Sequence, residues 1–366
     1  MPGRAEPAAE PGAAEAGSWH SAGLRAAGLD PGGGGDGVSY GEPVMDDPAA
    51  RLAAVRHAVP VDLDGAVLAE SWSNDAWVTG RSVLRVCWRG NRGRLLRERA
   101  LLASLPASVP HAVVLDAGRA DDLTWMALER IPGERLDLVW PRLPGSLRRE
   151  AVISLGAVLA ALHDWMPPPA VREMLVRASA AVRATYDEIG GSAIVPLPVA
   201  RLSPLLDWID QLPGMDAGLA RRARGRLEDL RTVISDLELT GGAVIHGDAH
   251  LANVLWHDGR LAALLDFEWA RIGPPDLELE AVCRDDPDIE ARARHGSCAA
   301  ADVPVLTWLR AGYPGLFEHE HLTERLWLYE LCYQVRQLCA PGVTSAGAAR
   351  LGRLAILADR PRVRFA

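Results

Sequence analysis

The sequence predicts an α+β fold of two lobes, in which a small N-terminal lobe carries an antiparallel sheet plus a helix and a larger C-terminal lobe is mainly helical. Short apolar runs separated by turn residues follow one another between residues 67 and 88, a pattern typical of antiparallel strands. An amphipathic helical segment comes directly after them, at residues 91–105. Helical apolar spacing then dominates from about residue 134 onward.

These patterns divide the chain into three parts. Residues 1–45 consist mostly of Ala, Gly, Pro and Glu, a composition that cannot bury enough apolar surface to offset chain entropy, so we predict a disordered tail. Residues 46–133 form the predicted small N-terminal lobe, and residues 134–366 form the helical C-terminal lobe. The strand candidates of the small lobe are residues 67–71, 76–80 and 82–88.

Composition argues against several classes of protein. Apolar residues make up 49% of the 366, as in a globular chain, and no run approaches the roughly 18 uninterrupted apolar residues of a membrane span. The N-terminal segment lacks the apolar stretch of a secretory signal. The net charge of −9 argues against nucleic acid as the main partner. We therefore expect a cytoplasmic protein that binds neither membranes nor nucleic acid.

Two residue counts bear on the chemistry. The five cysteines are odd in number and lack the spacing of a metal site, which favours reduced thiols in the cytoplasm. All 39 basic residues are Arg, so any site that needs a permanent side-chain cation must use Arg in this chain.

Two motifs carry the candidate chemistry. The sequence HGD at residues 246–248 is followed by Asn253, and thirteen residues later by DFE at residues 266–268. An apolar run leads into each motif, so both are expected where buried strands end in loops. The side chains of Asp248, Asn253 and Asp266 form a hard-oxygen set that suits Mg²⁺ with its bound phosphates.

The same order and spacing occur in protein kinases, where H-R-D-x-x-x-x-N precedes D-F-G. Here Gly247 replaces the Arg and Glu268 replaces the Gly. This variant resembles the aminoglycoside phosphotransferase and choline kinase family, the small-molecule branch of the kinase-like fold. The resemblance implies a protein-kinase-like two-lobe fold, and transfer of the γ-phosphate of ATP to a hydroxyl with the help of Mg²⁺.

Phosphoryl transfer gives each of these side chains an expected role. Asp248 is the candidate catalytic residue, which orients the acceptor hydroxyl and takes its proton. Asn253 and Asp266 are the candidate ligands of Mg²⁺. His246 is expected to support the loop structurally. Asp276 is expected to brace the same loop, because its Gly-Pro-Pro-Asp turn is similar to the G.P..D turn of the family.

A strand–helix ion pair is predicted in the small lobe. Glu98 lies on the same helix face as Leu95 and Leu102, where an unpaired carboxylate would be costly. Arg85 shares a strand face with Val83 and is the natural partner. The pair would reproduce the lysine–glutamate pair of kinases at the nucleotide, with Arg in place of Lys. The alternative is that both residues are exposed on the surface.

The hinge between the lobes is suggested by the resemblance. Residues 124–128 look like an edge strand that runs into a Pro-Gly turn. In the family this strand and turn bind adenine. The resemblance therefore places the backbone from Glu129 to Ile131 against the base and Met126 near the back of the slot.

The first hairpin departs from the family. Ser73 and Asn74 match the family's Ser-Asn, but the usual glycines are missing and Trp72 stands there. Since glycine normally lets the backbone approach phosphate closely, phosphate contact is expected from the Ser73 hydroxyl and the Asn74 amide instead.

A metal hydrolase is a rival interpretation, because His and Asp clusters also bind Zn²⁺. Such a site would leave Asn253 and the DFE segment without a role. It would use His246, Asp248, His250 and His257.

The acceptor is the part that the sequence determines least. Acidic residues are dense in the C-terminal lobe, which suits an aminoglycoside or a similar amino-bearing small molecule, although charge runs are also typical of solvated helix faces. Two alternatives stay open: a Ser or Thr in a peptide natural-product precursor as acceptor, and a non-catalytic pseudokinase that serves as a binding module. The oligomeric state is not determined. The acidic residues are Glu278, Glu280, Asp285, Asp286, Asp288, Glu290, Glu318, Glu320, Glu324 and Glu330.

Overall fold

The computed structural model describes residues 47–69, 71, 74–88, 93–180, 215–233, 242–285, 298–299, 303–338, 351–352, 354–355, 358 and 363–364. The tail predicted at residues 1–45 lies outside these ranges, as does Ser73.

A five-stranded antiparallel sheet and two helices form the small lobe. The strands are β1 (Val67–Ala69), β2 (Asp75–Val78), β3 (Ser82–Cys87), β4 (Val114–Ala120) and β5 (Leu123–Glu129), and the helices are α1 (Pro48–Arg56) and α2 (Arg94–Leu102). The sheet order is β1-β2-β3-β5-β4. Side chains alternate along β3, so that Leu84 packs with Val55 of α1 and Cys87 packs with Leu95 of α2. The sheet is therefore covered by one helix on each face.

Helix α1 was not anticipated from the sequence. The side chain of Asp47 caps it by accepting the Ala49 N–H at 3.0 Å. Arg51 is only 2% exposed and donates to both carboxylate oxygens of Asp75, at 2.6 and 2.8 Å. The Trp88 ring lies 4.1 Å from the guanidinium carbon of Arg51. This buried ion pair fixes α1 on the back of the sheet.

The prediction that residues 124–128 form an edge strand is wrong. Strand β5 pairs with β3 on one side and with β4 on the other, and β4 is the edge. The sequence did not indicate β4 because Asp116 and Gly118 interrupt its apolar pattern. A Cβ at Gly118 would lie 2.9 Å from the Trp125 ring, so the glycine makes room for that indole across the strand pair.

The large lobe is mainly helical in the residues that the structure describes. Its longest helix spans Gly145–Asp164 and buries an apolar stripe made of Leu155, Val158, Leu159 and Leu162. The helices are α3 (Leu136–Val139), α4 (Gly145–Asp164), α5 (Pro169–Ala180), α6 (Ala217–Val233), α7 (Glu278–Asp285), α8 (Pro304–Gly312) and α9 (Leu322–Leu338).

Short strands of the large lobe place the two motifs. Strand β7 pairs with β10, and a second sheet has the order β6-β8-β9. A two-residue parallel pair, β11 with β12, completes the described strands. Their bounds are β6 (Glu134–Arg135), β7 (Ala243–Ile245), β8 (Val254–His257), β9 (Arg260–Leu264), β10 (Arg271–Gly273), β11 (Cys298–Ala299) and β12 (Val363–Arg364).

The hairpin formed by β8 and β9 links the two motifs. Asp258 and Gly259 join the strands with φ of 48° and 75°, the positive values that a tight two-residue hairpin turn requires. At the open end, the Leu265 N–H donates to the Asn253 carbonyl oxygen at 2.8 Å. Residues that are thirteen positions apart in sequence, Asn253 and Asp266, therefore stand at the same end of one hairpin.

Of the helices in the described ranges, none is both long enough and apolar enough to span a bilayer.

Removal of the Asp75 charge is expected to destabilise the small lobe strongly. The Asp75→Asn substitution leaves the buried Arg51 cation without its carboxylate partner, which typically costs about 3–5 kcal/mol. The matched control is Asp64→Asn, because Asp64 pairs with Arg56 where both side chains are largely exposed, and such pairs contribute below about 1 kcal/mol. Urea denaturation of both variants measures the difference. Equal effects would contradict the importance given to the buried pair.

Candidate active site

The first loop of the site begins where β7 ends. Gly247 has φ of 81°, a left-handed conformation that favours glycine. A Cβ at this position would lie 2.9 Å from the Trp269 carbonyl oxygen and would also meet the Arg271 side chain. The Gly that replaces the kinase Arg is thus required by the close approach of β10, and the chain turns sharply from His246 to Asp248.

The His246 ring connects the two motifs, and it is completely buried. Its Nε2 lies 2.8 Å from the Leu265 carbonyl oxygen, and its Nδ1 lies 3.2 Å from the Asp248 N–H. Both contacts are satisfied by one neutral tautomer, in which Nε2 donates and Nδ1 accepts. The ring also packs on Phe267 at a centroid distance of 4.7 Å. These contacts fix the ring between the two motifs.

Asp248 lies on the accessible side of this loop. Its side chain is 22% exposed, and its Oδ2 lies 3.4 Å from the Nε2 of His250. The Asn253 amide nitrogen donates to the Asp248 carbonyl oxygen at 2.9 Å and lies 3.3 Å from Oδ2. Asp248 is therefore held in place while part of its carboxylate faces solvent, as a residue that meets an acceptor must.

Asp266 follows β9 with φ of 64°, an uncommon conformation for a residue that is not glycine. The backbone there turns into a short 3₁₀ helix, Phe267–Trp269. The Asp266 side chain is 31% exposed, and its Oδ1 accepts from Arg85 at 2.7 Å. In this backbone conformation the Asp266 carboxylate is partly exposed and reaches Arg85.

The oxygen donors of this site fit a magnesium ion. Among the described residues, no hydrogen-bond donor contacts Oδ1 of Asn253 or Oδ2 of Asp266. The hydrogen bonds of Asn253 use its amide nitrogen, and the contact of Asp266 with Arg85 uses Oδ1. One amide oxygen and one carboxylate oxygen at the end of a common hairpin are the hard ligands that Mg²⁺ takes, with the remaining positions filled by water and phosphate.

The predicted strand–helix ion pair is present. Arg85 on β3 donates to both oxygens of Glu98 on α2 at 2.8 Å. The same guanidinium reaches Asp266, and it lies 3.4 Å from Glu268. Burial acts to lower the pKa of Arg85, but the charges of Asp266, Glu98 and Glu268 outweigh burial and raise it. Arg85 is therefore always a cation, and the alternative of two exposed residues is wrong.

Glu98 joins α2 to the second motif. Its side chain is 1% exposed and accepts the Phe267 N–H at 3.0 Å. Burial raises the pKa of Glu98 to about 7; Asp266 and Glu268 add to the rise, while Arg85 and the Phe267 N–H oppose it. The helix of the small lobe is in this way bound directly to the loop that carries Asp266.

The backbone of the proposed hinge offers a limited set of donors. The Glu129 N–H donates to the Val113 carbonyl at 2.8 Å, and the Arg130 N–H donates to the Arg81 carbonyl at 2.9 Å. Of the three backbone N–H groups from Glu129 to Ile131, only that of Ile131 has no acceptor in the described part of the chain. Met126 is fully buried on the α2 side of β5.

A profile of the phosphotransferase enzyme family, APH, matches residues 64–311, which is more than half of the chain. The chain belongs to this family. It is therefore a small-molecule phosphotransferase, a kinase that uses a hydroxyl as acceptor. No curated protein matches the sequence.

Solved structures of other phosphotransferases share the fold. Aminoglycoside phosphotransferase APH(2'')-Ib, solved with ADP, is 15% identical, with a TM-score of 0.54 over 86% of this chain and 97% of its own. A thermostable mutant of APH(4)-Ia with AMP-PNP and hygromycin B is 19% identical, with a TM-score of 0.53 over 85% of this chain and 98% of its own. Macrolide 2'-phosphotransferase MphH from Brachybacterium faecium is 19% identical, with a TM-score of 0.51 over 84% and 97%. The likeness confirms the kinase-like two-lobe fold.

The predicted phosphate contact of Asn74 in this phosphotransferase needs correction. The Asn74 side chain is buried, and its amide nitrogen donates to Glu268 at 3.0 Å. It anchors the hairpin and is not presented at the surface. Ser73, the other predicted phosphate contact, lies outside the described residues.

The support predicted for Asp276 also needs correction. Asp276 is fully buried, but it accepts two bonds from Arg325, at 2.7 and 2.8 Å, and one from the Tyr329 hydroxyl at 3.0 Å. It therefore fixes helix α9. The carboxylate that accepts the backbone N–H groups of His246 and Gly247 is Glu278. The sequence also pointed to Glu278. When the G and P of the G.P..D pattern are placed on Gly273 and Pro275, its acidic position falls at residue 278.

The hydrolase interpretation is not supported by the geometry. In the described part of the chain, the acidic, His and Cys ligand atoms that converge within 4.8 Å belong to Glu98, Asp266 and Glu268. The four residues that a zinc site would use do not converge. Arg85 already lies among the three carboxylates, so this cluster is a salt-bridge network.

Several of the acidic residues that suggested a charged substrate wall are buried. Glu278, Glu280 and Glu330 are each at most 5% exposed. Glu318 and Glu320 are exposed, whereas Asp286, Asp288 and Glu290 lie outside the described residues. The density of acidic residues in the sequence is therefore partly a feature of the core.

Neutralisation of Glu278 is expected to loosen the catalytic loop in a pH-dependent manner. Burial acts to raise the pKa of Glu278, but His163 and the Gly247 N–H outweigh burial and hold the pKa below its ordinary value. A lowered pKa contributes stability above the unfolded value of about 4.3, and that stability is lost as the pH falls through the folded value. The Glu278→Gln substitution should therefore cost about 1–3 kcal/mol at pH 7, and less below pH 4.

Denaturation curves of wild type and Glu278→Gln between pH 7 and pH 3.5 test this expectation. Glu134→Gln is the control, because that carboxylate is exposed beside Arg142. A difference between wild type and Glu278→Gln that does not change with pH would contradict the role assigned to the charge.

Proposed function

We propose that this phosphotransferase moves the γ-phosphate of ATP, with Mg²⁺, to a hydroxyl of an amino-bearing small molecule, with aminoglycosides as the first candidates. The observation that carries the proposal is the juxtaposition at the open end of the β8–β9 hairpin. There a partly exposed Asp248 contacts Asn253, and Asp266 lies beside the part-buried Arg85.

In the proposed reaction Asp248 orients the acceptor hydroxyl and takes its proton as the oxygen attacks the γ-phosphorus. The new oxygen–phosphorus bond forms as the bond between the γ-phosphorus and the bridging oxygen breaks, and the bonding electrons leave with ADP. Asn253 and Asp266 would hold the metal ion, which when bound neutralises charge between the β- and γ-phosphates. Arg85, held by Glu98, would contribute its fixed positive charge at the α- and β-phosphates.

The nucleotide side of the proposal is supported by the hinge and by the related structures. In the hinge, the Ile131 N–H is the backbone donor that can bind an adenine ring. The buried Met126 side chain would lie at the back of the adenine slot. Two of the phosphotransferases that share the fold were solved with ADP or AMP-PNP.

An amino-bearing acceptor is supported by charge and by the family. The net charge of −9 favours the approach of cationic small molecules. One structure with this fold contains hygromycin B, and another is a macrolide phosphotransferase. The first panel of acceptors should therefore contain aminoglycosides, followed by macrolides.

The Asp248→Asn substitution is expected to lower kcat at least about 100-fold, because a positioned general base typically contributes that much or more. The assay follows ADP release and the gain of one phosphoryl group by the acceptor in mass spectra. Asp258→Asn is the matched control, since Asp258 is exposed at the turn of the same hairpin, and it should keep full activity.

Two outcomes would contradict parts of the proposal. Full activity of Asp248→Asn would remove Asp248 as the proton acceptor. A wild-type enzyme that binds Mg²⁺-ATP but phosphorylates none of the panel would contradict the proposed acceptor class and leave the nucleotide site intact.

A further inference from the structure

Glu268 is the residue of the DFE motif for which the family resemblance suggests no role. It lies in the 3₁₀ helix just after Asp266, and its side chain is 1% exposed. A carboxylate buried to this degree is costly unless both oxygens are paired. Its partners therefore indicate what it does.

All the partners of Glu268 described by the structure come from the small lobe. Its Oε2 accepts from Asn74 at 3.0 Å and lies 3.4 Å from a nitrogen of Arg85. Its Oε1 accepts from Arg94 at 3.2 Å, and its carbonyl oxygen accepts from Arg97 at 2.7 Å. One residue of the metal-binding loop thus contacts the β1–β2 hairpin, strand β3 and helix α2.

The contact with Asn74 is the one that bears on the nucleotide. Asn74 is the last residue of the loop between β1 and β2, and Asp75 begins β2. In protein kinases this hairpin is rich in glycine, and the residue equivalent to Glu268 is a glycine that has no side chain. Here both features change together: the hairpin lacks the glycines, and a buried carboxylate holds its end.

A second metal ion is a less suitable explanation for Glu268. Its oxygens lie within 4.8 Å of those of Glu98 and Asp266. However, Arg85 contacts all three carboxylates, and Arg94 contacts Glu268 from the other side. The positive charge that a metal would supply is already present.

We propose that Glu268 is a positioning residue that ties the nucleotide hairpin, through Asn74, to the loop that carries the metal ligand Asp266. The hairpin and the metal site then keep a constant separation although the hairpin has no glycine-rich backbone to wrap around phosphate. This inference deepens the nucleotide side of the proposed function and does not depend on the identity of the acceptor. Loss of the Glu268–Asn74 bond should weaken the binding of Mg²⁺-ATP and leave the KM for the acceptor nearly unchanged.

A reversal of the hydrogen bond tests the proposal. Asn74→Asp sets two acceptors against each other, and Glu268→Gln leaves one acceptor oxygen for the two donors Asn74 and Arg94. The double variant restores one bond to each, because the amide nitrogen at position 268 then donates to the carboxylate at position 74 and its oxygen accepts from Arg94. The net charge of the double variant equals that of wild type. Each single variant should raise the Kd of Mg²⁺-ATP about tenfold, and the double variant should bind more tightly than either, as coupled neighbours do.

Asn74→Ala and Glu134→Gln complete the set. Asn74→Ala removes the hydrogen-bond donor without adding a buried charge, and it should also weaken the binding of Mg²⁺-ATP. The test therefore does not depend on whether Glu268→Gln folds. Glu134→Gln changes an exposed carboxylate and should bind as wild type does. Wild-type affinity in Asn74→Ala, or a double variant as weak as the sum of the two single effects, would overturn the proposal.

Hydrogen exchange without nucleotide separates this inference from the proposed function. Backbone amides of β2 should exchange faster in Asn74→Ala and in Glu268→Gln, and the double variant should recover protection. That pattern is expected even if the wild-type enzyme bound no ATP. A lack of ATP binding would contradict the proposed function and leave this inference standing. Unchanged exchange in both single variants would contradict the inference.

Discussion

The guanidinium of Arg85 bridges three carboxylates that would otherwise repel one another at the centre of this phosphotransferase. It donates to Glu98 and Asp266 and lies 3.4 Å from Glu268. Because two of these carboxylates are almost fully buried, removal of the cation would leave uncompensated charge in the interior. The planar fork of Arg suits this arrangement better than the point charge of Lys, since its separate nitrogens reach different partners at once. A chain without lysine has thus kept the ion pair and extended it.

This network joins parts of the site that come from distant stretches of sequence. Helix α2 carries Glu98, β3 carries Arg85, and the loop after β9 carries Asp266. The large lobe then supports the network through backbone groups: His246 binds the Leu265 carbonyl, and Glu278 holds the N–H groups of the turn before Asp248. Charge complementarity positions the nucleotide side, and backbone hydrogen bonds position the catalytic side.

The sequence predicted which polar side chains come together better than it predicted the residues that support them. Fixed spacing identified Asp248, Asn253 and Asp266, and alternation on a strand and a helix face identified Arg85 with Glu98. Glu268 and Glu278 were missed because their value depends on contacts with segments far away in sequence, which no local pattern shows. Helix α1 and strand β4 escaped for a related reason. Their apolar patterns are weak, and other segments stabilise them: the Arg51–Asp75 ion pair holds α1, and pairing with β5 holds β4.

The errors share this physical origin. Asp276 was chosen over Glu278 because an Asp after Gly-Pro-Pro is a familiar turn residue, yet its carboxylate faces Arg325 of the last long helix. Asn74 was expected to face phosphate because polar residues in a loop usually face solvent. Its side chain is instead buried, where its amide nitrogen donates to the buried Glu268 carboxylate. The predicted bounds of the lobes, and the functional roles of the site residues, stay predictions.

Equilibrium binding of ATP to the wild-type enzyme, measured by calorimetry with Mg²⁺ and again with EDTA, tests the central claim most directly. The account predicts binding that is at least about tenfold tighter with Mg²⁺, because Asn253 and Asp266 would hold the ion between protein and phosphates. Equal affinity with and without the metal would contradict the metal site. No binding in either buffer would contradict the nucleotide site built around Arg85.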